Sequence, residues 1–154
     1  MPVIQRLTAL VSCMLLALTL AACVKEKPTL LEGSVSASAD VNPDGDGTAS
    51  PVVVRYYELK STKAFDSAGF FDIYDEATTT LAGDMLHWGE VELVPGGSQA
   101  LNLEVTPGAN FVGFLVAYRD IENASWRGKM ALKPNSVNEV VVNVGKLAVD
   151  VAAP

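Results

Sequence analysis

The sequence predicts a mainly β protein, a two-sheet β-sandwich with a short helical insertion between the second and third strands. Beyond residue 28, most of the chain consists of short apolar-rich segments separated by glycine, proline, asparagine and aspartate. Such spacing of strands and turns is typical of a sandwich. Residues 61–86 differ, because their apolar side chains recur every three or four positions, as on one face of a helix.

The strand-like segments differ in their apolar patterns. Residues 90–94 and 100–105 alternate apolar and polar side chains, which predicts strands with one buried face. Residues 110–118 are almost wholly apolar, which predicts a strand buried on both faces. The complete set of predicted strands is 29–39, 51–59, 90–94, 100–105, 110–118, 126–132 and 139–151.

The helical insertion is predicted from one apolar face between two glycines, Gly69 and Gly83. The side chains on that face are Phe70, Ile73, Tyr74, Ala77 and Leu81. Their spacing indicates a helix that packs on a sheet.

The first 23 residues are typical of a bacterial secretory signal. Arg6 supplies a basic start, residues 7–20 are apolar, and Leu20-Ala21-Ala22-Cys23 closes the run. The apolar run is shorter than the ~20 residues that a membrane span needs. A cysteine directly after two alanines resembles a lipobox, which implies a covalent diacylglycerol and an N-acyl lipid on Cys23. The alternative is an ordinary signal peptide, with Cys23 an incidental thiol.

We therefore expect a removed signal peptide (1–22), a lipidated tether (23–28) and one β-sandwich domain (29–154). Val24 stands where an aspartate would resemble an inner-membrane retention signal, which favours the outer membrane, facing the periplasm. Cys13 leaves with the signal and Cys23 carries lipid, so no thiol remains for a disulfide. The lipid would contact the inner leaflet of that membrane.

The charge of the chain argues against nucleic acid as a partner. The formal net charge is −7, and removal of Arg6 with the signal makes it more negative. An acidic domain repels phosphate backbones. It also gains little from lying on anionic lipid, so the acyl chains must provide the anchor.

Candidates for catalysis are few. His87 is the single histidine, and no Gly-x-Ser-x-Gly sequence accompanies it to suggest a nucleophile. Glu90 and Glu92 could mimic a glycosidase pair, but their alternation in a strand is better explained by solvent exposure. We expect no enzyme activity, no cofactor other than lipid, and no small-molecule substrate.

Asp44-Gly45-Asp46-Gly47 hints at calcium. The twelfth position of an EF-hand loop starting at Asp44 would be Arg55, where the motif needs a bidentate glutamate. The pattern instead predicts a tight turn in which the aspartate bonds its own backbone. We expect no metal site.

Two tryptophans leave a second hypothesis open. Trp88 and Trp126, with nearby tyrosines, could form an aromatic pocket for a small ligand or carbohydrate. Alternatively, Trp126 packs on the core of the sandwich with Arg119 or Arg127 over it.

Residues 42–51 form a long loop without large aliphatic or aromatic side chains. Pro43 and Pro51 restrict its two ends, which lowers the entropy cost of docking onto a partner. From these residues alone the loop could equally be flexible or functional.

Several motifs together resemble the outer-membrane lipoprotein of the type VI secretion system, the TssJ (SciN, VasD) family. They cover nearly the whole mature chain in order: the lipobox, Lys27-Pro28, Val41-Asn42-Pro43-Asp44, Ser50-Pro51-Val52-Val53-Val54-Arg55, Tyr57-Glu58-Leu59-Lys60, Phe70-Phe71, Gly83-Asp84, Pro95-Gly96, Ala117-Tyr118-Arg119-Asp120 and Ala124-Ser125-Trp126-Arg127.

The resemblance implies a transthyretin-like sandwich without catalytic activity. It also implies that the partner is the periplasmic C-terminal region of a large inner-membrane subunit of the TssM type. The loop between the first two strands makes that contact in the family. Here the corresponding residues are Asn42, Pro43, Asp44, Gly45, Asp46, Gly47, Thr48, Ala49, Ser50 and Pro51. Many relatives carry a basic residue after the loop glycine, whereas here Thr48 follows Gly47.

Overall fold

A computed structural model describes residues 26–154, so the predicted signal peptide and Cys23 lie outside the described residues. The first half contains strands β1 (Leu30–Ala37) and β2 (Val52–Leu59), helices α1 (Lys63–Ser67) and α2 (Phe70–Thr80), a 3-10 turn (Ala82–Asp84) and strand β3 (Met85–Leu93). The second half contains β4 (Ser98–Glu104), β5 (Phe111–Val116), β6 (Arg127–Ala131), β7 (Val137–Val144) and β8 (Val149–Ala152).

The strands form two four-stranded sheets, which confirms the mainly β prediction. One sheet has the order β4-β1-β7-β8 and the other has the order β3-β2-β5-β6. Pairing is antiparallel except between β1 and β7, which run parallel. The β1–β2 loop passes from one sheet to the other, so its two ends are fixed by different sheets.

Two predicted boundaries are wrong. β3 begins at Met85 rather than residue 90, so His87 and Trp88 lie in a strand and not at the end of the helical segment. The predicted strand 139–151 is two strands, β7 and β8, joined by a turn in which the Gly145 N–H donates to the Ala148 carbonyl (2.8 Å).

Apolar side chains fill two layers. The larger cluster lies between the sheets and includes Leu31, Val35, Val54, Phe114 and Val142, all buried. Burial of such side chains supplies the main driving force for folding.

The smaller cluster lies between the outer face of the second sheet and the helices. It contains Tyr57, Leu59, Phe65, Ile73, Leu81 and Leu115. β2 and β5 are therefore covered on both faces, which explains why β5 has no polar alternation.

Stacked aromatic rings and a guanidinium group attach α2 to the second sheet. The Arg55 guanidinium lies 3.8 Å from the Tyr74 ring centroid and 5.0 Å from that of Trp88. Its Nε donates to Glu90 Oε2 (3.0 Å), and its Nη1 donates to the Tyr74 carbonyl. Stacked cations of this kind contribute more when partly removed from water.

The strand register defines two ends of the sandwich. β1 starts at Leu30, beside Glu104 and Val137, and ends at Ala37, beside Val144. The chain therefore enters the domain at one end, and the β1–β2 loop lies at the opposite end. The β3–β4, β5–β6 and β7–β8 connections share the end that carries this loop.

Gly33 allows β1 to lie close to β7. Its φ is +156°, and a Cβ atom there would lie 1.8 Å from the Val140 carbonyl oxygen. That oxygen belongs to the backbone of a paired strand and cannot move without breaking the β1–β7 ladder.

We predict that Gly33→Ala lowers the free energy of unfolding by about 2–3 kcal/mol, the usual cost of overpacking. Urea denaturation monitored by circular dichroism measures this difference. Gly83→Ala is the matched control, because a Cβ atom there meets nothing within 4 Å. Equal stability of the two variants would contradict the close approach described for Gly33.

Candidate docking site

The 42–51 loop is folded by its own hydrogen bonds. The Asp44 Oδ1 accepts from the backbone N–H groups of Asp46 (3.0 Å) and Thr48 (2.9 Å). The Asp44 N–H donates to the Thr48 carbonyl (2.9 Å), and Gly47 has a φ of +82°. This is the predicted tight turn, with aspartate bonding its own backbone and glycine in the left-handed region.

Asn42 joins this loop to two others. Its Nδ2 donates to the Pro51 carbonyl (2.7 Å), and its Oδ1 accepts from the Arg119 N–H (2.7 Å). Its backbone N–H donates to the Lys146 carbonyl (3.0 Å). The side chain is buried and the backbone is left-handed, with a φ of +48°, which asparagine tolerates better than most residues.

Further contacts hold the surrounding connections. The Tyr118 hydroxyl donates to the Gly145 carbonyl (3.1 Å), and burial raises the pKa of this phenol above its ordinary value. On the other side, the Gly96 N–H donates to the Ser38 carbonyl (3.1 Å). These bonds join the β5–β6 connection to the β7–β8 connection, and the β3–β4 turn to the segment that leads into the loop.

The ten predicted partner-binding residues play different structural roles. Asn42 and Ser50 are buried at the base of the loop. Pro43, Asp44 and Ala49 are half-buried. The residues exposed to solvent are Gly45, Asp46, Gly47, Thr48 and Pro51. The half-buried and exposed residues are accessible to a partner, whereas the two buried residues support them.

An open cleft of about 470 Å³ lies beside the loop. Three connections line it, through the side chains or backbone of Pro43, Asp44, Gly45, Arg119, Asp120 and Leu147. Sequence analysis missed the last three as site residues, since only the packing of the β5–β6 and β7–β8 connections brings them to the loop.

The alternative candidates occupy other parts of the fold. His87 is exposed on β3, with its ring 6.4 Å from that of Tyr56. Glu90 is paired with Arg55. Within residues 26–154, no group of three or more histidine, cysteine or acidic side chains could hold a metal ion.

The aromatic side chains pack against one another and against the core. Trp126 makes an edge contact with Phe70 at a centroid distance of 5.3 Å, and the Arg127 guanidinium lies 4.5 Å from the Trp126 centroid. Arg127 Nη1 also donates to the carbonyls of Phe65 and Ala68. These contacts favour the core-packing interpretation of Trp126 over the ligand-platform interpretation.

A scan against family models matches residues 29–147 to type VI secretion lipoproteins, a family described by the names VasD, EvfM and TssJ. The chain belongs to this family. The family match and the two-sheet fold confirm the resemblance seen in the sequence. No curated protein matches the chain.

Solved structures give the same assignment. The chain is similar to the type VI secretion lipoprotein TssJ1 from Pseudomonas aeruginosa, with 31% identity over 82% of this chain and 97% of that one, and a TM-score of 0.79. It is also similar to a chain of a structure described as a type VI membrane complex, with 27% identity, coverage of 82% and 99%, and a TM-score of 0.71.

A third similar chain is in the structure described as "T6SS protein TssM C-terminal domain (869-1107) from EAEC". The identity is 25%, the match covers 82% of this chain and 99% of that one, and the TM-score is 0.68. In the described part of this lipoprotein, 26–154, no helix is long and apolar enough to cross a membrane.

We predict that Asn42→Ala lowers the free energy of unfolding by about 3 kcal/mol, since it leaves two part-buried backbone groups unpaired and places alanine at positive φ. Asn42→Gly, which keeps the backbone conformation, should still lose most of that stability. Chemical denaturation measures both, and hydrogen exchange at residues 44–50 should become faster. Asn102→Ala, on the exposed side of β4, is the control. If Asn42→Ala were as stable as this control, Asn42 would not hold the three connections together.

Proposed function

We propose that this protein is a non-catalytic, outer-membrane-anchored component of the type VI secretion membrane complex. In this proposal the 42–51 loop docks the periplasmic C-terminal region of a TssM-type inner-membrane subunit. The lipid on Cys23 holds the other end of the domain in the inner leaflet of the outer membrane. The protein then acts as a fixed connection between the two membranes.

One observation carries the loop assignment: the 42–51 loop is ordered, and it lies at the end of the sandwich remote from residues 26–29. Its exposed residues are held on a frame of hydrogen bonds within the domain. A pre-organised loop loses less conformational entropy on association than a flexible one.

The comparisons support a TssM-type partner. The chain matched in the structure described by TssM residues 869–1107 aligns over 99% of its length with 82% of this chain. It is therefore about half as long as that segment, so a chain with the size and fold of this domain occurs in that structure. A second similar chain belongs to a type VI membrane complex.

The anchoring proposal rests on the N-terminal sequence and on the point where the chain enters the domain. Residues 23–28 are too few to extend beyond about 20 Å. Two or more acyl chains hold a protein stably at a membrane where one does not. The entry end of the sandwich would consequently face the leaflet, and the loop would face the periplasm.

We predict that Thr48→Trp weakens binding to the TssM-type periplasmic domain at least about tenfold, because it adds bulk at the centre of an interface. The Thr48 side chain makes no hydrogen bond among residues 26–154, so the loop frame should persist. Replacing residues 44–49 by a short glycine-serine link should abolish binding. Biolayer interferometry with the full chain in detergent measures both affinities.

Pro107→Trp is the matched control, since Pro107 is exposed at the opposite end of the sandwich. It should bind within twofold of the wild type by the usual behaviour of residues outside an interface. Undiminished binding by both loop variants would rule out the loop as the docking element.

We predict that Cys23→Ser abolishes lipidation and releases the protein from the membrane fraction, since the acyl chains provide the anchor in this proposal. Intact mass spectrometry should show a diacylglycerol and an N-acyl chain on the wild type and none on the variant. Cys13→Ser, in the predicted signal, is the control and should remain lipidated. An unmodified Cys23 in the exported wild-type protein would contradict the anchoring proposal.

A further inference from the structure

The 42–51 loop is too small to form a stable interface by itself. A specific protein–protein interface buries about 800 Å² on each partner and involves roughly 20–30 residues a side. The loop has ten residues, and two of them are buried at its base. A partner that docks on the loop must therefore cover neighbouring surface at the same end of the sandwich.

The cleft beside the loop is the neighbouring surface with the most definite chemistry. Pro43 and Leu147 give it apolar walls, while Asp44, Arg119 and Asp120 bring charge. When a partner covers this open cleft, its apolar walls help to keep water away from a polar contact formed between them, which strengthens that contact.

The two carboxylates in the cleft already accept hydrogen bonds from the protein. Asp44 Oδ1 accepts from two backbone N–H groups of its own loop. Asp120 accepts from Asn123, with Oδ1 and Oδ2 both within 3.0 Å of Asn123 Nδ2. These acids stabilise their own loops, and both already have donors within the protein.

Arg119 is in the opposite situation. Its backbone N–H donates to Asn42 Oδ1, which fixes the residue to the base of the 42–51 loop. Its guanidinium is exposed and, among residues 26–154, makes neither an ion pair nor a side-chain hydrogen bond. The main group in the cleft that is free to bind a partner is thus the Arg119 guanidinium, a planar group with several N–H donors.

We propose that Arg119 is a specificity-determining residue that binds a carboxylate of the docking partner in this cleft. The inference rests on the proposed function, because it assigns the chemistry of a contact made by the same partner. Guanidinium matches carboxylate through two parallel N–H···O bonds, and an ammonium cannot reproduce this geometry. The partner segment that enters the cleft carries an aspartate, a glutamate or a chain-terminal carboxylate.

The surrounding charge makes this contact selective. Arg119 and Lys146 are basic residues at this end, whereas Asp40, Asp44, Asp46, Asp120 and Glu122 are acidic. A carboxylate that meets the acidic side chains is repelled, so a partner must align it with a cation, and of the two cations only Arg119 lines the cleft.

The test compares Arg119→Ala, Arg119→Lys and Arg119→Glu in the full chain, bound to the TssM-type periplasmic domain. Arg119→Ala should weaken binding about tenfold, as expected for loss of a charge-assisted bidentate contact. Arg119→Lys should also bind more weakly than the wild type, and Arg119→Glu should bind most weakly of the three variants. Thermal unfolding should be unchanged, because it is the backbone of Arg119, not its side chain, that holds Asn42.

Lys146→Ala is the matched control, since Lys146 is an exposed cation on the neighbouring connection. It should bind within twofold of the wild type. Wild-type affinity in Arg119→Ala, or an equal loss in Lys146→Ala, would overturn the assignment. If Thr48→Trp abolishes binding while the Arg119 variants bind normally, this inference fails and the docking proposal stands. If none of the loop variants affects binding, the docking proposal itself fails.

Discussion

The geometry of the candidate site depends on one buried side chain, Asn42. It satisfies a carbonyl of its own loop and a backbone N–H of the β5–β6 connection, while its main chain bonds the β7–β8 connection. Three connections from two sheets are thereby held in one arrangement. Buried polar groups are costly when unpaired, so the same contacts that stabilise the loop also exclude alternative positions for it.

The second structural constraint is the attachment of the helical insertion. Phe65, Ile73 and Leu81 are buried against the outer face of the sheet, and Arg55 is clamped between the Tyr74 and Trp88 rings. The aromatic side chains that suggested a ligand pocket in the sequence are used to hold α2 on β2 and β3. The insertion leaves and rejoins the sheet at the end opposite the 42–51 loop, because Leu59 of β2 pairs with Met85 of β3.

The sequence predicted the fold well where burial is one-sided or complete. β4 alternates because one face is covered, and β5 lacks alternation because both faces are covered. The start of β3 was missed because Met85 and Leu86 are both apolar and pack on different clusters, so this part of the strand lacks the two-residue alternation seen from Glu90 onwards. The β7–β8 turn was missed because the apolar run continues on both sides of Gly145.

The candidate site was only partly predictable, for a related reason. The 42–51 loop is contiguous, so its composition and its family resemblance were visible in the sequence. Arg119 and Leu147 lie far from it along the chain and reach the same cleft only through strand pairing. Whether a side chain in the cleft makes hydrogen bonds within the protein depends on atomic positions, which no local sequence pattern predicts.

The placement of β1 has a mechanical consequence. This strand runs from the entry end of the domain to the base of the loop and is paired along its length with β4 on one side and β7 on the other. Tension between the two ends would act along the strand axis, across backbone hydrogen bonds that lie roughly perpendicular to it. Such bonds are loaded in shear and must fail together, whereas a strand peeled from one end loses them in sequence. The domain is thus built to carry a pulling force between its two ends with little extension.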